Sequence, residues 1–379
     1  MTEQANGLAY SALDSRRFGL KVYRGTAASL VDREFFRQVL AEGIDVAILR
    51  TPADGSSSAS RLQRFGFPML HADTLVYYSV DLERFAPAPL RNADLAFTEA
   101  TEDDKAPLAA LVAETFANYS SHYHANPNFA ASDILAGYLE WAASYVGDAQ
   151  EGRITWVARR HGEIVAFACC TFDAGERGCE GVLYGVHPAH AGGGLYGDLI
   201  RHTQAQFKSR GFQSMRVSTQ VWNHAVQKVW AREGFALSGA YDTYHVNAML
   251  SAGDLKIERE LTFSSAQVAQ FAAASGDTNP VHLDEARARE AGFDGCISHG
   301  MLAGAELSRI FGTEIPGAGT LFLRSNLVFA GPVYADRPHL LRVRYLQQAG
   351  SSVIQAIATL QDARGHICLL AYNDLLVKG

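Results

Sequence analysis

The sequence predicts an α/β fold followed by an α+β fold, arranged in three units. Its 379 residues exceed the length that one hydrophobic core usually organises. Prolines and small residues interrupt the hydrophobic pattern at 84–93, and a turn-forming stretch interrupts it again at 250–254. Helix and strand patterns alternate before the second break, whereas a strand, a helix and then four strand-like stretches follow it. We therefore expect units at 1–90, 91–250 and 251–379.

Composition and charge limit the kinds of ligand that we expect the protein to bind. The formal net charge of −7 offers no electrostatic basis for binding nucleic acid or an anionic membrane. No apolar run reaches the roughly 20 residues of a membrane-spanning helix, and the first residues lack a signal-peptide pattern, so we expect a cytoplasmic protein. The five cysteines form no CxxC pair and have no zinc-site spacing. We expect free thiols and no metal ion.

The first unit combines strands with a helix and contains half of a weak internal repeat. A helix is predicted over 31–43, closed by Gly43. Its apolar face consists of Phe35, Phe36, Val39 and Leu40. Residues 61–82 echo residues 229–250, because each runs from a helix through Gly-Phe and a turn into Asp-Thr and an aromatic strand. The repeat suggests that 1–90 is a degenerate half-copy of the next unit.

The middle unit also alternates helix and strand. A helix with an acidic first turn is predicted over 101–116, where the carboxylates face the positive end of the helix dipole. Strand patterns at 154–160 and 163–172 are joined by His-Gly and predict a hairpin. Two further strands are predicted at 180–186 and 213–221.

A glycine turn between a strand and a helix is the first candidate ligand site. Residues 182–200 run from a strand through Gly192, Gly193 and Gly194 into a helix. Glycines let the backbone approach a ligand closely, and the helix N-terminus adds partial positive charge. This arrangement suits a pyrophosphate, although a plain tight turn uses the same residues.

The segment after this turn points to a family. Four residues follow at offsets 0, 7, 11 and 12: Asn223, Trp230, Gly234 and Phe235. Together with the glycine turn they resemble the GNAT acyltransferase superfamily over about 93–250, which implies a GNAT fold and a coenzyme A thioester as acyl donor. In that family the pyrophosphate of coenzyme A is held by amides that correspond here to Gly192, Gly193, Gly194 and Leu195. The resemblance also implies that Asn223 and the backbone of Val186 contact the pantetheine arm.

Three positions depart from the family pattern. Ala191 replaces an arginine or glutamine, so binding there depends on the backbone, and Tyr196 fills a position that is usually small. Trp230 replaces a tyrosine that returns a proton to the thiolate in many members, and an indole cannot serve as that donor. Tyr196, Tyr184 or water are the alternatives that remain.

The first unit resembles the extra N-terminal lobe of dTDP-fucosamine acetyltransferase-like enzymes. The similarity lies in residues 14–24, 44–52 and 65–67, and it implies that this lobe is a degenerate GNAT-like lobe. Those enzymes acylate the amine of a nucleotide-linked amino sugar, so the resemblance implies such an acceptor. The alternative is a lobe that only stabilises the fold.

A polar, aromatic loop at 118–127 is the candidate acceptor site. His122, Tyr123 and His124 suit stacking on a sugar nucleotide and hydrogen bonding to it, and either histidine could relay a proton from the attacking ammonium. An ordinary helix connector is the alternative. Glu180 is a further candidate base. His187 and His245 are expected to be structural.

The last unit contains a second candidate active site. A helix that begins with a Ser264 and Gln267 capping pattern ends at Gly276. Asp277, Asn279 and His282 then fall in one proline-bearing loop. An aspartate and a histidine five residues apart in a rigid loop can both reach one water molecule, which suits paired acid–base catalysis.

The run SGDTNPVHLD at 275–284 resembles the motif of MaoC-like hot-dog hydratases, and the similarity covers essentially all of 255–379. It implies that Asp277 and His282 activate water for addition to a trans-2-enoyl-CoA, with Asn279 at the substrate. The amide of Gly300 would hold the thioester oxygen, and Ser308 would line the pocket, whereas His299 is expected to be structural. Homodimerisation through the hot-dog unit follows by the same analogy.

Two coenzyme A-using units in one chain predict a bifunctional enzyme. The hydratase would make an (R)-3-hydroxyacyl-CoA, and the transferase would attach that acyl group to an amino sugar nucleotide. One alternative is an N-acetyltransferase beside an unrelated hydratase. A second alternative is an N-acetyltransferase whose hot-dog unit only dimerises or binds acyl groups. A protein or antibiotic acyltransferase is disfavoured by the extra lobe.

Overall fold

The computed structural model describes residues 7–27, 30–147, 152–173, 175–346 and 351–377. Over these residues the strands form two sheets, one of ten strands and one of five. The ten-stranded sheet takes every strand up to residue 247, and the five-stranded sheet takes the strands from residue 254 onwards.

The first unit supplies four strands and three helices to the larger sheet. Their bounds are β1 (Ala9–Tyr10), α1 (Ala12–Phe18), β2 (Val22–Thr26), α2 (Asp32–Glu42), β3 (Val46–Pro52), α3 (Ser56–Leu62) and β4 (Met69–Asp81). The predicted apolar face of α2 is confirmed, because Phe35 and Val39 are buried and Phe36 and Leu40 pack against the same core. The helix ends at Gly43, whose φ of 61° is the left-handed conformation that favours glycine.

The middle unit continues the same sheet. Its elements are β5 (Ala96–Glu99), α4 (Lys105–Phe116), α5 (Ala131–Ala143), β6 (Arg153–Arg160), β7 (Glu163–Asp173), β8 (Gly178–Val186), α6 (Leu195–Ser209), β9 (Ser214–Gln220), α7 (His224–Arg232) and β10 (Ala236–Asn247). The predicted hairpin is present as β6 and β7, which turn at His161 and Gly162.

Strand β4 of the first unit lies inside the sheet of the middle unit. The strand order is β1-β2-β3-β10-β4-β9-β8-β7-β6-β5, so β4 pairs with β9 on one side and with β10 on the other. The two segments of the internal repeat therefore follow the same path from helix to long strand and pair with each other. The division at residue 90 stays a prediction, and the two units that it separates share one continuous sheet.

Strands β8 and β9 diverge and open a wedge in this sheet. They pair in parallel only from Gly178 to Gly181, opposite Ser214 to Val217. Beyond that point β8 bonds to β7 alone as far as Val186. The free edge of β8 therefore faces a gap whose far side is the end of β9.

The five-stranded sheet wraps around one long helix. Its elements are β11 (Asp254–Thr262), α8 (Ser265–Ser275), α9 (Pro280–Leu283), α10 (Glu285–Glu290), α11 (Gly300–Thr313), β12 (Thr320–Phe329), β13 (Pro338–Leu346), β14 (Val353–Gln361) and β15 (Ile367–Val377). The order is β11-β13-β14-β15-β12, entirely antiparallel. Leu307, Ile310 and Phe311 of α11 form the core with the inner face of the sheet. The predicted capping box at Ser264 and Gln267 is present.

The outer face of the five-stranded sheet packs against the first sheet. Ile357, Leu370 and Tyr372 belong to the same hydrophobic core as the residues of β3, and the Tyr372 hydroxyl donates to the carbonyl of Ala248 at 2.9 Å. Buried Asp45 accepts hydrogen bonds from the amides at 251 and 252, at 2.7 and 2.9 Å. The predicted linker is therefore bound to the first unit, which sets how the two sheets pack.

The cysteines are unpaired, as predicted. All five lie in the described ranges, and each has a free thiol. Among the helices that the structure describes, none is both long enough and apolar enough to cross a membrane.

Candidate active sites

The glycine turn lies directly before α6. Gly192 and Gly194 have φ values of 82° and 83°, a region that other residues rarely adopt. A side chain added at Gly192 would meet no atom within 4 Å, so the turn borders open space. The helix then begins at buried Leu195 and runs for fifteen residues. Its first amides, which have no intrahelical acceptor, can serve an anionic ligand.

A buried ion-pair network anchors α6. Asp198 accepts hydrogen bonds from the amides of Arg91 and Asn92 at 2.8 and 2.9 Å. Arg201 donates to Asp198 at 3.0 Å and to both carboxylate oxygens of Glu233. All three charged side chains are buried. The network connects the start of α6 to the segment after residue 90 and to the end of α7.

A cleft of about 760 Å³ lies beside the wedge between β8 and β9. The middle unit contributes Asn223, Trp230, Tyr184 and Tyr196 to its walls, and the first unit contributes several arginines. Asn223 precedes α7 and donates to the hydroxyl of Thr219 at 3.1 Å. The structure thus brings Asn223 and residues 181–184 of β8 to the same cleft, whereas Val186 and the glycine turn are not among its lining residues.

Two tyrosines on this cleft stay protonated at neutral pH. Burial raises the pKa of Tyr184 well above its usual value and also raises the pKa of Tyr196. The Tyr184 hydroxyl donates to Thr203 at 3.1 Å. Glu180, the alternative base, also lines the cleft, but it accepts from Arg216 at 2.6 Å and is therefore held in an ion pair.

His122 and Tyr123 line the cleft, whereas His124 does not. The side chain of His124 is exposed because its Nδ1 accepts from the amide of Ser121 at 3.1 Å and caps a short 3-10 turn. The sequence predicted His124 at the acceptor site, and the structure does not place it there. Tyr123 donates to Asp14 of the first unit at 3.0 Å.

His122 begins a buried polar chain. Asn126 donates through Nδ2 to His245 Nδ1 at 3.1 Å, and its oxygen accepts from the amide of Asn128. Because His245 Nδ1 accepts, its Nε2 must donate to His122 Nδ1, 2.9 Å away. Burial lowers the pKa of His245 to about 3 and that of His122 well below its usual value. Neutral His122 then carries its proton on Nε2 and can donate a hydrogen bond there, and its predicted part in relaying a proton stays a prediction.

Asp73 is a buried acidic residue near the cleft that the sequence did not reveal. It lies on β4 opposite Thr243, two residues before Leu75, which lines the cleft. The carboxyl is buried, and neither oxygen has a hydrogen-bond partner of good geometry among the described residues. Burial raises its pKa, against the opposing effects of Thr243 and Arg50. The available signal was an aspartate within an aromatic strand of the internal repeat.

The second candidate site lies between α8 and α11. Helix α8 ends at Gly276, with φ of 77°, and Asn279 then caps α9. His282 Nδ1 donates to the carbonyl of Ile297 at 2.8 Å, which leaves Nε2 unprotonated in the neutral ring. That Nε2 lies 4.0 Å from Asp277 Oδ2. One water molecule can hydrogen bond to both atoms at this separation.

His299 and Gly300 complete this arrangement. His299 Nε2 donates to the carbonyl of Asp277 at 2.9 Å, and its buried ring lies 3.8 Å from that of His282. Gly300 is the first residue of α11, and a side chain there would come within 2.6 Å of the Phe329 ring. A side chain at this position would therefore have to displace the Phe329 ring, and the helix begins one residue after His299, which bonds to the carbonyl of Asp277.

Two features of this site bear on what the sequence predicted for Ser308 and for metal binding. Ser308 is exposed on α11, so within the described residues of a single chain it does not line the pocket predicted for it. Ligand atoms of Asp277, His282 and His299 lie within 4.8 Å of one another, a spacing that could hold a metal ion. In each histidine one ring nitrogen, Nδ1 of His282 and Nε2 of His299, already donates a hydrogen bond to a backbone carbonyl and is not free to bind a metal ion. Metal-free chemistry at this site stays a prediction.

Two family models match the chain. The acetyltransferase (GNAT) family matches residues 114–235, and the MaoC like domain matches residues 235–355. An (R)-specific enoyl-CoA hydratase from Aeromonas caviae is 44% identical over 72 residues, 19% of this chain and 54% of that protein. A 3-hydroxybutyryl-CoA dehydratase from Methylorubrum extorquens is 39% identical over 70 residues, 18% of this chain and 45% of that protein. The chain thus spans about half the length of these two curated relatives.

Solved structures resemble separate parts of the chain. An (R)-hydratase from A. caviae involved in PHA biosynthesis is 27% identical and covers 34% of this chain and 99% of that chain, with a TM-score of 0.31. A GCN5-related N-acetyltransferase from Sphaerobacter thermophilus is 17% identical and covers 53% and 59%, with a TM-score of 0.41. By the two family matches, the chain carries a GNAT acetyltransferase domain followed by a C-terminal MaoC-like domain.

Proposed function

We propose that this chain is a bifunctional coenzyme A enzyme. Its MaoC-like domain hydrates a short trans-2-enoyl-CoA to an (R)-3-hydroxyacyl-CoA, and its GNAT domain transfers an acyl group to the amine of a nucleotide-linked amino sugar. The observation that carries the first activity is the 4.0 Å separation of Asp277 and His282 beside the first amide of α11. The similarity to an (R)-specific enoyl-CoA hydratase supports the same activity.

The hydration step follows from the arrangement of this loop. A water molecule between Asp277 and His282 gives a proton to His282 Nε2 while its oxygen bonds to C3 of the enoyl group. The electron pair of the double bond moves toward the thioester oxygen, and the Gly300 amide and the α11 dipole stabilise the negative charge there. His282 then returns this proton to C2 from the same face, which gives syn addition, and Asp277 accepts a hydrogen bond from the other hydrogen of the water and orients its oxygen toward C3. His299 and Asn279 hold the loop, and Asn279 also borders the substrate.

The transfer step uses the wedge between β8 and β9. The amides of Gly192 to Leu195 hold the pyrophosphate, and the pantetheine arm pairs with Val186 and contacts Asn223. The acceptor amine attacks the thioester carbon, and the carbon–sulfur bond then breaks. Protonated Tyr184 or Tyr196 supplies the proton to the leaving thiolate. Buried Asp73, which has no hydrogen-bond partner of good geometry among the described residues, takes the proton of the attacking ammonium.

The residues that line the cleft favour an acceptor that carries negative charge and a ring. Arg17, Arg24 and Arg50 of the first unit border it, beside several tyrosines of the middle unit. Arg17 and Arg24 are ion-paired with Glu140 and Asp14, which also line the cleft, whereas Arg50 forms no ion pair among the described residues. Arg17 Nε is buried and has no hydrogen-bond partner among the described residues. Guanidinium groups bind phosphates well, and aromatic rings stack on bases and sugars. A nucleotide-linked amino sugar has both features and also carries the amine.

The two activities form one sequence if the transferase prefers the product of the hydratase. Fusion in one chain raises the local concentration of that product. The test is a competition among 3-hydroxybutyryl-CoA, butyryl-CoA and acetyl-CoA with an amino sugar nucleotide acceptor, read by product mass. We expect kcat/KM to be about 10-fold higher for the 3-hydroxybutyryl donor than for the butyryl donor. The reason is that the polar groups of the site that bond to the 3-hydroxyl have no partner when the donor lacks it. Equal use of the two donors, or exclusive use of acetyl-CoA, would contradict the coupled sequence.

A further inference from the structure

A groove of about 1200 Å³ lies between the first unit and the outer face of the five-stranded sheet. Arg33, Phe36 and Arg37 of α2 form one wall, and Asn326 of β12 and Arg342 of β13 lie on the other. The groove is thus built by two units of the same chain, and neither candidate active site includes it.

The groove is strongly basic. Its lining includes a single carboxylate, that of Glu42, and six lysine and arginine side chains: Lys21, Arg33, Arg37, Arg64, Arg342 and Arg344. The whole chain has a net charge of −7. This accumulation of cations opposes the overall charge, and a concave site lined by one sign of charge attracts an anionic ligand.

Among the described residues, three of these cations have neither a counter-ion nor a hydrogen-bond partner. Within the described parts of the chain, Arg33, Arg37 and Arg64 form no ion pair or hydrogen bond, whereas Arg342 donates to Glu258 at 2.6 Å. Arg33 and Arg37 are four residues apart and therefore lie on one face of α2, where like charges repel. Arg33 also lies in the first turn, where a cation opposes the helix dipole. Both positions cost stability unless an anion binds there.

One end of the groove approaches the candidate hydratase site. Phe329 lines the groove and is about half exposed. A Cβ added to Gly300 would lie 2.6 Å from Phe329 Cε1, so the ring contacts the residue whose amide would hold the thioester oxygen. A single side chain therefore separates the groove from the reaction centre.

We propose that this groove binds the 3′-phosphorylated ADP end of the coenzyme A thioester that the MaoC-like domain hydrates. The inference rests on the proposed hydratase activity and adds that the first unit supplies the phosphate-binding residues. Three phosphate groups match the unpaired arginines, and Phe36 and Phe65 offer apolar surface to the adenine. A narrow concave groove suits a small ligand better than the convex surface of an acyl carrier protein.

The test compares two thioesters that differ only in this end. In the double variant R33Q/R37Q we expect the KM for crotonyl-CoA to rise about 10-fold or more, with kcat little changed. The KM for crotonyl-pantetheine, which lacks the nucleotide, should stay the same. The matched control is Arg84→Gln, because the Arg84 side chain is 90% exposed and lies outside the groove.

Three outcomes would overturn the proposal. These are an unchanged KM for crotonyl-CoA, equal changes for both thioesters, or an effect confined to a crotonyl carrier protein. If the wild-type protein hydrates neither thioester, the proposed function fails, and the groove is tested by calorimetry with adenosine 3′,5′-bisphosphate. We then expect two binding sites per wild-type chain and one per R33Q/R37Q chain. Equal numbers of sites in the two proteins would contradict nucleotide binding in the groove.

Discussion

The two candidate active sites differ in how much of each site one chain provides. The transferase cleft is walled by the first and middle units together, and its polar lining residues Ser121, His122 and Gln220 are buried. In the hydratase site, the Asp277 side chain is 53% exposed, and Ser308 on α11 faces outward. The first site is thus lined by buried groups of one chain, whereas the second is open to solvent in a single chain.

The topology of the two sheets explains this difference. In the ten-stranded sheet the first unit inserts β4 between β9 and β10, so the sheet continues past the cleft. The five-stranded sheet ends at β12, whose outer half exposes Leu321, Phe322 and Leu323. An unpaired strand edge with exposed apolar residues is a surface for another chain. We therefore propose that a second copy pairs with β12 and covers the hydratase site.

The largest expected effect separates the two sites chemically. Asp277→Asn or His282→Ala should each lower crotonyl-CoA hydration by on the order of 10²-fold or more, because each removes one of the two groups that bind and activate the water. Acyl transfer from a supplied acyl-CoA should remain. Asp284→Asn is the matched control, because Asp284 lies in the same loop but only caps α10. A wild-type protein that hydrates no short enoyl-CoA would contradict the proposed hydratase.

The reciprocal variant acts on the buried site. Asp73→Asn should lower acyl transfer by on the order of 10-fold to 10²-fold and leave hydration unchanged. Its repeat counterpart Asp242, which accepts from Thr74 at 2.5 Å, provides the control Asp242→Asn. Burial raises the pKa of Asp73. As the pH falls, the rate of wild-type transfer should therefore begin to decline at a pH above the usual pKa of a carboxyl group. That limb should be absent from Asp73→Asn, and an unchanged pH profile would exclude Asp73 as the proton acceptor.

The exposed edge can be tested in the full chain. Leu323→Asp places a charge on β12, where Leu323 is 56% exposed. We expect a dimeric wild type and a monomeric variant by light scattering, with hydration reduced about 10-fold and transfer unaffected. Leu255→Asp on β11, at the opposite edge, is the matched control. A wild-type monomer with full hydratase activity would show that the site is complete without a partner.

The smallest effect concerns stability. Burial holds the pKa of His245 near 3, below the ordinary value of 6.5, so the unfolded chain binds this proton more tightly than the folded chain. The contribution is present above pH 6.5 and is lost as the pH falls toward 3. Between pH 7 and pH 5 the wild type should lose on the order of 1–2 kcal/mol of unfolding free energy through this group. Chemical denaturation of His245→Gln should show a weaker pH dependence than that of the wild type, and an equal pH dependence would contradict the buried neutral state of His245.

Residues that lie close together in the sequence were predictable from it. The glycine turn at Gly192 to Leu195 and the loop from Asp277 to His282 are contiguous runs, and their geometry depends on local turns and helix starts. For the same reason the closure of α2 at Gly43 and the free cysteines were predicted. Both domain families were identified from such runs.

Only the tertiary structure decided the rest, because it depends on pairing between distant strands and on burial. The insertion of β4 placed buried Asp73 opposite Thr243 of β10, and the packing of β10 against the 118–127 loop brought His122 into a hydrogen bond with His245. His124 and Ser308 point to solvent for reasons that no local pattern contains. The basic groove joins α2 to a sheet nearly 300 residues later in the chain. A side chain's protonation and exposure are set by neighbours in space, and the sequence alone specifies those only where they are also neighbours along the chain.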